Sequence, residues 1–261
     1  MNTFKIPGLG VAIAVGALFL AGCKKEVGKE TAVEQLSFNN TSIFQFFNAS
    51  IPNAATDPRK DYLYVDAKAL TGAHVTYGSL FPSSSTGAAV LSGFRAFLIR
   101  DTLVATTQPQ ISFGETFQAG KSYTIFMYDT FTVAKQKTVE SNIIIPDDTT
   151  ARVRIANFIY HPTTVPGIDI YSVKRGSNIV TNLLPTQVTD FMPYASSFTS
   201  GFPLNDTLIV FENGTTNRLD TLVNFSPTRK RSYTLIFRGR WRTNEAGAAP
   251  NPRTLSSFAN N

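Results

Sequence analysis

The chain holds a single cysteine, Cys23, and the residues around it specify a reaction. Leu20-Ala21-Gly22-Cys23 has the form of a lipobox: small side chains at Ala21 and Gly22 suit a peptidase pocket, and a thiol is what diacylglyceryl transfer needs. Upstream, Lys5 supplies a positive n-region and Ile6 to Leu20 an apolar one. Together they predict a lipoprotein signal peptide over 1–22, cut between Gly22 and Cys23, because the segment is too short and Gly-broken to span a membrane comfortably. The competing reading is a free thiol buried at the end of a hydrophobic segment. After cleavage no other thiol remains, so neither a disulfide framework nor a cysteine metal site is expected. Each buried methylene contributes about 0.8 kcal/mol and one acyl chain anchors only marginally. The two or three acyl chains of a bacterial lipoprotein, palmitate among them, predict firm attachment.

Elsewhere the chemistry thins out. The two histidines, His74 and His161, sit in loop-like sequence, and nothing in the spacing selects a triad of His161, Asp169 and a serine. The chain has no nucleophile elbow, zinc-protease helix or phosphate-binding glycine loop. Asp147 and Asp148 have the types of an acid–base pair or a calcium site, but Pro146 beside them reads as a turn. No catalytic residue, metal or cofactor is expected. Arg238, Arg240 and Arg242 alternate along one strand, which sets three guanidinium groups about 7 Å apart at ~3.4 Å per residue. They read either as an array that grips phosphates or carboxylates, or as an exposed face whose charge blocks aggregation. Tyr62, Tyr64, Tyr77, Tyr194 and Phe198 are either sugar-stacking rings or core.

The elements that must position these groups are strands. Phe, Tyr, Val, Ile and Thr abound, turn-forming Gly, Pro, Asn and Ser are frequent, and charge is sparse. Formal charge is +6, and removal of residues 1–22 takes away Lys5 alone and leaves +5. Nucleic acid is a poor partner for a basic protein outside the cytoplasm, whereas anionic headgroups or acidic glycans fit. Residues 23–37 read as a lipidated tether, with a reach of about 45 Å at ~3.3 Å per residue. Lys24 after the cysteine favours delivery to the outer membrane; which face the protein looks out from stays open.

Four pairs of segments recur in order, the sign of a duplication. Ile43 to Ser50 resembles Ala151 to Asn157, and Asp61 to Val65 resembles Ile168 to Val173. Asp101-Thr102-Leu103-Val104 matches Asp220-Thr221-Leu222-Val223, and Lys121 to Phe126 matches Arg231 to Ile236. Each copy reads as short strands between turns, which predicts a β-sandwich. Tyr233, Leu235, Phe237, Gly239 and Trp241 share one strand face, with Ser232, Thr234 and the three arginines on the other. Asn48 and Asn157 point inward near strand ends, where they satisfy loop backbone groups. The expected domains are 38–142 and 150–245, followed by a loose Ala-, Pro- and Asn-rich tail over 246–261.

Asn48-Ala49-Ser50, Leu63-Tyr64-Val65-Asp66 and Ala119-Gly120-Lys121-Ser122-Tyr123-Thr124 resemble the DUF4397 domain of bacterial envelope lipoproteins. The second copy resembles it through Val153-Arg154-Ile155-Ala156-Asn157, Ile168-Asp169-Ile170-Tyr171 and Ser232-Tyr233-Thr234. It lacks the Ala-Ser after Asn157 and the Ala-Gly before its Tyr-Thr strand. The resemblance implies an all-β protein of two tandem immunoglobulin-like β-sandwich domains in a Bacteroidota-type lipoprotein, and it carries no activity. Asp-Thr-apolar steps at Thr102, Thr149, Thr207 and Thr221 resemble envelope O-glycosylation sites; the alternative is a turn Asp leading into a Thr-rich strand. The expected function is a non-enzymatic binding, adhesion or assembly module at the outer membrane, for a glycan or an envelope protein. The alternative is a hydrolase with its site between the domains.

Overall fold

The computed structural model describes residues 38–52, 61–101, 109–196, 205–242 and 252–260, all within the unit Ser37–Asn261. Gly22, Cys23, the tether, Thr102 and Phe198 lie outside the described residues. Apart from a 3-10 turn at Phe38–Asn40, every regular element described is a strand. The first half carries β1 (Thr41–Asn48), β2 (Asp61–Val65), β3 (Lys68–Ala69), β4 (Leu80–Phe81), β5 (Ala88–Leu91), β6 (Gly93–Asp101), β7 (Ile111–Phe117), β8 (Ser122–Tyr128) and β9 (Lys135–Glu140). The second carries β10 (Ala151–Tyr160), β11 (Ile168–Ser172), β12 (Ser177–Leu183), β13 (Met192–Tyr194), β14 (Asp206–Glu212), β15 (Arg218–Phe225), β16 (Ser232–Arg240) and β17 (Thr254–Ala259).

The two halves have one topology. In the first, β4 and β5 flank β1, which runs parallel to β8, and β9 closes that sheet; the other sheet is β3-β2-β6-β7. In the second, the sheets are β13-β10-β16-β17, with β10 parallel to β16, and β12-β11-β14-β15. Each pair of sheets encloses its own core. Phe44, Phe46, Ile125 and Met127 meet Leu63, Phe97, Ile99 and Phe117 in the first. Val153, Ile155, Leu235 and Phe237 meet Ile168, Ile170, Leu208 and Val210 in the second. This is sandwich packing, with alternate residues of each strand turned inward.

Local chemistry repeats with the topology. Asn48 and Asn157 are fully buried. The Asn48 side chain donates to Val75 O and Asp61 Oδ2 and accepts from Ser50 N; the Asn157 side chain donates to Leu183 O and accepts from Ile159 N. The Tyr123 hydroxyl accepts from Gln118 N and the Tyr233 hydroxyl from Thr228 N, both at 3.1 Å.

Two expectations need correction. The tetrapeptide at Asp101 is not the counterpart of that at Asp220: Asp101 ends β6, whereas Asp220 lies in β15, which corresponds to β7. Nor is the tail over 246–261 loose where it is described, because Thr254–Ala259 pairs with β16 from Tyr233↔Ala259 to Arg238↔Thr254. An edge strand gains its main-chain hydrogen bonds from its neighbour, so the two apolar anchors Leu255 and Phe258 suffice. Gly239 permits the approach: a Cβ there would lie 2.3 Å from Pro252 O.

A third hydrophobic cluster joins the halves. Phe47, Ala49 and Phe126 from the first pack with Ala156, Phe158 and Ile236 from the second, with Leu80, Tyr128, Val139, Val188 and Phe258 around them. Strands β1, β8, β10 and β16 are therefore buried on both faces along most of their length. The strand register makes Phe47 the counterpart of Ala156, Ala49 of Phe158, Phe126 of Ile236 and Val139 of Phe258. Each of these pairs has both members in the seam. Contact of one patch with its own duplicate is the geometry of an isologous dimer interface, here within one chain.

Candidate functional site

The seam carries polar groups as well as rings, all within a sheet-to-sheet interface. Gln45 of β1 and Arg154 of β10 occupy equivalent positions, opposite Thr124 and Thr234 respectively. Both side chains reach across to the other half. Gln45 accepts from Asn260 Nδ2 at 2.8 Å, and the Thr234 hydroxyl donates to Asn260 Oδ1 at 2.7 Å. Arg154 donates through Nε to Thr234 Oγ1 at 2.8 Å and through Nη2 to Thr124 Oγ1 at 2.6 Å. Thr124 in turn pairs with Ser141 at 2.9 Å. This chain of hydrogen bonds satisfies Gln45, Thr124, Ser141, Thr234 and Asn260, which are all buried.

Arg154 differs from the rest in carrying charge. Its side chain is 1% exposed, it makes no ion pair among the described residues, and its guanidinium lies over Phe191 at 4.7 Å and Phe126 at 5.9 Å. Burial lowers its pKa to about 9, which leaves it a cation at neutral pH. Hydroxyl acceptors and ring faces recover part of the cost of removing that charge from water. At the seam's edge, Arg154 lines a cavity of about 150 Å³ together with Arg152, Ile144, Val188, Thr189 and Phe191.

The opposite rim is a broader groove of about 550 Å³, bounded by Ser79, Ser83, Ser85, Ser256, Phe258 and Arg238. Arg238 lies over the rings of Tyr77 at 5.3 Å and Phe47 at 5.6 Å, and its Nη1 donates to Ser256 Oγ at 2.6 Å. Its Nε is buried without a partner, and burial lowers its pKa. Gly78 makes room for it, since a Cβ there would stand 2.7 Å from Nη2. Phe47 and Phe258 stack at 5.2 Å beside the groove.

The three arginines read from sequence are thus separated by their environments. Arg238 enters this groove, Arg240 lies over Tyr160 at 5.5 Å, and Arg242 is exposed past the end of β16. Their strand face is not a solvent face, because Ser232, Thr234 and Ile236 on it are fully buried, Ile236 in the cluster with Phe47 and Phe126 of the first half. His74 is exposed beside Tyr62, and His161, whose Nδ1 meets Thr163, lines a separate pocket of about 290 Å³ with Val165 and Leu184; neither lines the two seam cavities. Asp148 accepts from Thr150 N and Oγ1 in a turn, and Asp147 is exposed. Among the described residues no three His, Cys, Asp or Glu side chains cluster as a metal site.

Of the Asp-Thr steps, Thr149 is exposed and Thr207 half-buried, whereas the Thr221 hydroxyl oxygen is buried and has no room for a glycan in this packing. The aspartates are structural: Asp220 accepts from Leu255 N, and Asp206 accepts from Ser172, Tyr194, Lys174 N and Thr207 N. Tyr194 is core, while Tyr62, Tyr64 and Tyr77 are half-buried. Sequence patterning does not single out Arg154 as a site residue. Its signal in the sequence is a lone charge between the apolar residues Val153 and Ile155.

No family model matches the chain, and no curated protein matches it either. Among solved structures it is similar to CBMbc (family CBM26) from Eubacterium rectale Amy13K, in complex with maltoheptaose. The identity is 13% and the TM-score 0.23, over 80% of this chain and 98% of that chain.

Proposed function

We propose that this protein is a lipid-anchored, non-enzymatic binding module of the bacterial outer membrane, whose two immunoglobulin-like sandwiches of DUF4397 type hold a carboxylated glycan at their seam. The observation that carries this reading is the Arg238 groove. It sets a desolvated cation among serine hydroxyls and beside the half-buried ring of Phe258, which are the donors, acceptors and flat surface an acidic sugar uses. Capping of backbone N–H groups by Tyr123 and Tyr233 supports the immunoglobulin-like reading, since tyrosine hydroxyls bond back to the chain in that fold. The lipobox supports attachment through Cys23.

A glycan array of acidic and neutral polysaccharides, probed with the full chain in detergent, tests the reading. Acidic hits are expected to vanish in Arg238→Gln and to persist in a His74→Ala/His161→Ala double variant. Loss in the histidine variant, or breakdown of the bound glycan, would favour a hydrolase instead. Palmitate labelling in a bacterial host is expected for the wild type and absent for Cys23→Ala.

A further inference from the structure

We infer that the small cavity ending on Arg154 is a second binding site, distinct from the Arg238 groove, for a carboxylate on a short apolar body. Three observations carry this. First, among the described residues a guanidinium that is 1% exposed has no carboxylate partner, and its hydrogen bonds there run from Nε and Nη2, not from Nη1. A buried cation left so is costly unless an anion completes it, and a guanidinium edge matches the two oxygens of a carboxylate. Second, the space is the right size and character. Its ~150 Å³ is that of an engineered cavity that takes up benzene. Val139, Ile144, Val188 and Phe191 give it an apolar wall, and Thr189 and Asn142 supply polar groups. Third, the other charged groups of the lining are occupied or at the surface. Arg152 faces Asp148 at 3.7 Å, Glu140 accepts from Lys121 Nζ at 2.7 Å, and Asp190 is exposed.

The duplication supplies a control, because Gln45 fills the equivalent position in the first half and is fully hydrogen-bonded there. Arg154→Gln therefore introduces a side chain that this seam already accommodates. The probes are isobutyrate and its neutral isostere isobutyramide, added to the full chain. At ten times its dissociation constant, isobutyrate is expected to raise the wild-type Tm by about 3–5 °C, with no change from isobutyramide. Arg154→Gln should lose the response and keep a Tm at or above that of the unliganded wild type. Arg238→Gln should keep the response, which separates this site from the groove. In the wild type the Arg154 Nε–H resonance should move with isobutyrate alone, a readout independent of any variant's folding. Equal responses to the acid and the amide, or an undiminished isobutyrate response in Arg154→Gln, would overturn the site.

Discussion

At matching places on the seam, the first half offers Gln45 and the second Arg154. The neutral side chain closes its hydrogen bonds within the protein, through Asn260 Nδ2 and Ala259 O. The charged one has no counter-charge among the described residues and lies beside a cavity. A second contrast has the same form. Asp206, at the start of β14, receives hydroxyl and backbone donors, whereas the corresponding place on β6 holds Arg95 in a partly exposed pair with Asp66 at 2.9 Å. The two halves share one frame, and different residues at equivalent points are satisfied in different ways within it.

The seam itself is the strongest test of this comparison. Phe126 stacks on Phe158 at 4.6 Å, while Phe158's counterpart in the same cluster is the smaller Ala49 and Phe126's is Ile236. Phe126→Ala should destabilise the protein by about 3–5 kcal/mol and Ile236→Ala by about 2–5 kcal/mol, read from urea midpoints. Both should retain a single transition; two separate transitions in the wild type would make the halves independent. Next come the paired asparagines. Asn48→Ala and Asn157→Ala should each cost about 1–3 kcal/mol, because each leaves a buried carbonyl and a buried N–H unpaired. Asn48 should cost the more, since it also holds Asp61.

Acid should separate the halves further. Burial alone would raise the Asp206 pKa, but donors from Ser172, Tyr194, Lys174 N and Thr207 N outweigh it and hold the carboxyl below its ordinary value. The stabilisation is therefore present above about pH 4 and lost as pH falls through the lower, folded-state value. Asp206→Asn should cost about 1–3 kcal/mol at pH 7 and flatten the decline below pH 4, followed by urea midpoints across pH. In the first half, Asp66→Asn should cost under about 1 kcal/mol, because the amide keeps the acceptor for Ala96 N and solvent screens the lost pair with Arg95.

Much of the fold was legible in the chain. Alternation in Tyr233 to Trp241 placed Leu235 and Phe237 in the core, and three of the four recurring segments mark equivalent strands. The fourth misled because four identical residues can lie on different strands when loop lengths differ. The tail was misjudged because an edge strand borrows its order from a neighbour. The arginine stripe was misplaced for a related reason: alternation distinguishes two faces of a strand but does not say what covers the second.

By itself, the sequence determined that the protein is all-β, built twice from one plan, with buried asparagines fastening loops to the first strand of each copy. Those features depend on local patterning, which period-two alternation and short motifs record. Only the tertiary structure decided that the outer faces of β1, β8, β10 and β16 meet. That contact pairs residues about a hundred positions apart, Thr124 with Thr234 through Arg154, and burial of a charge depends on what arrives from elsewhere in the chain. Arg154 is a cation in any reading, and the facing half is what takes the water away from it.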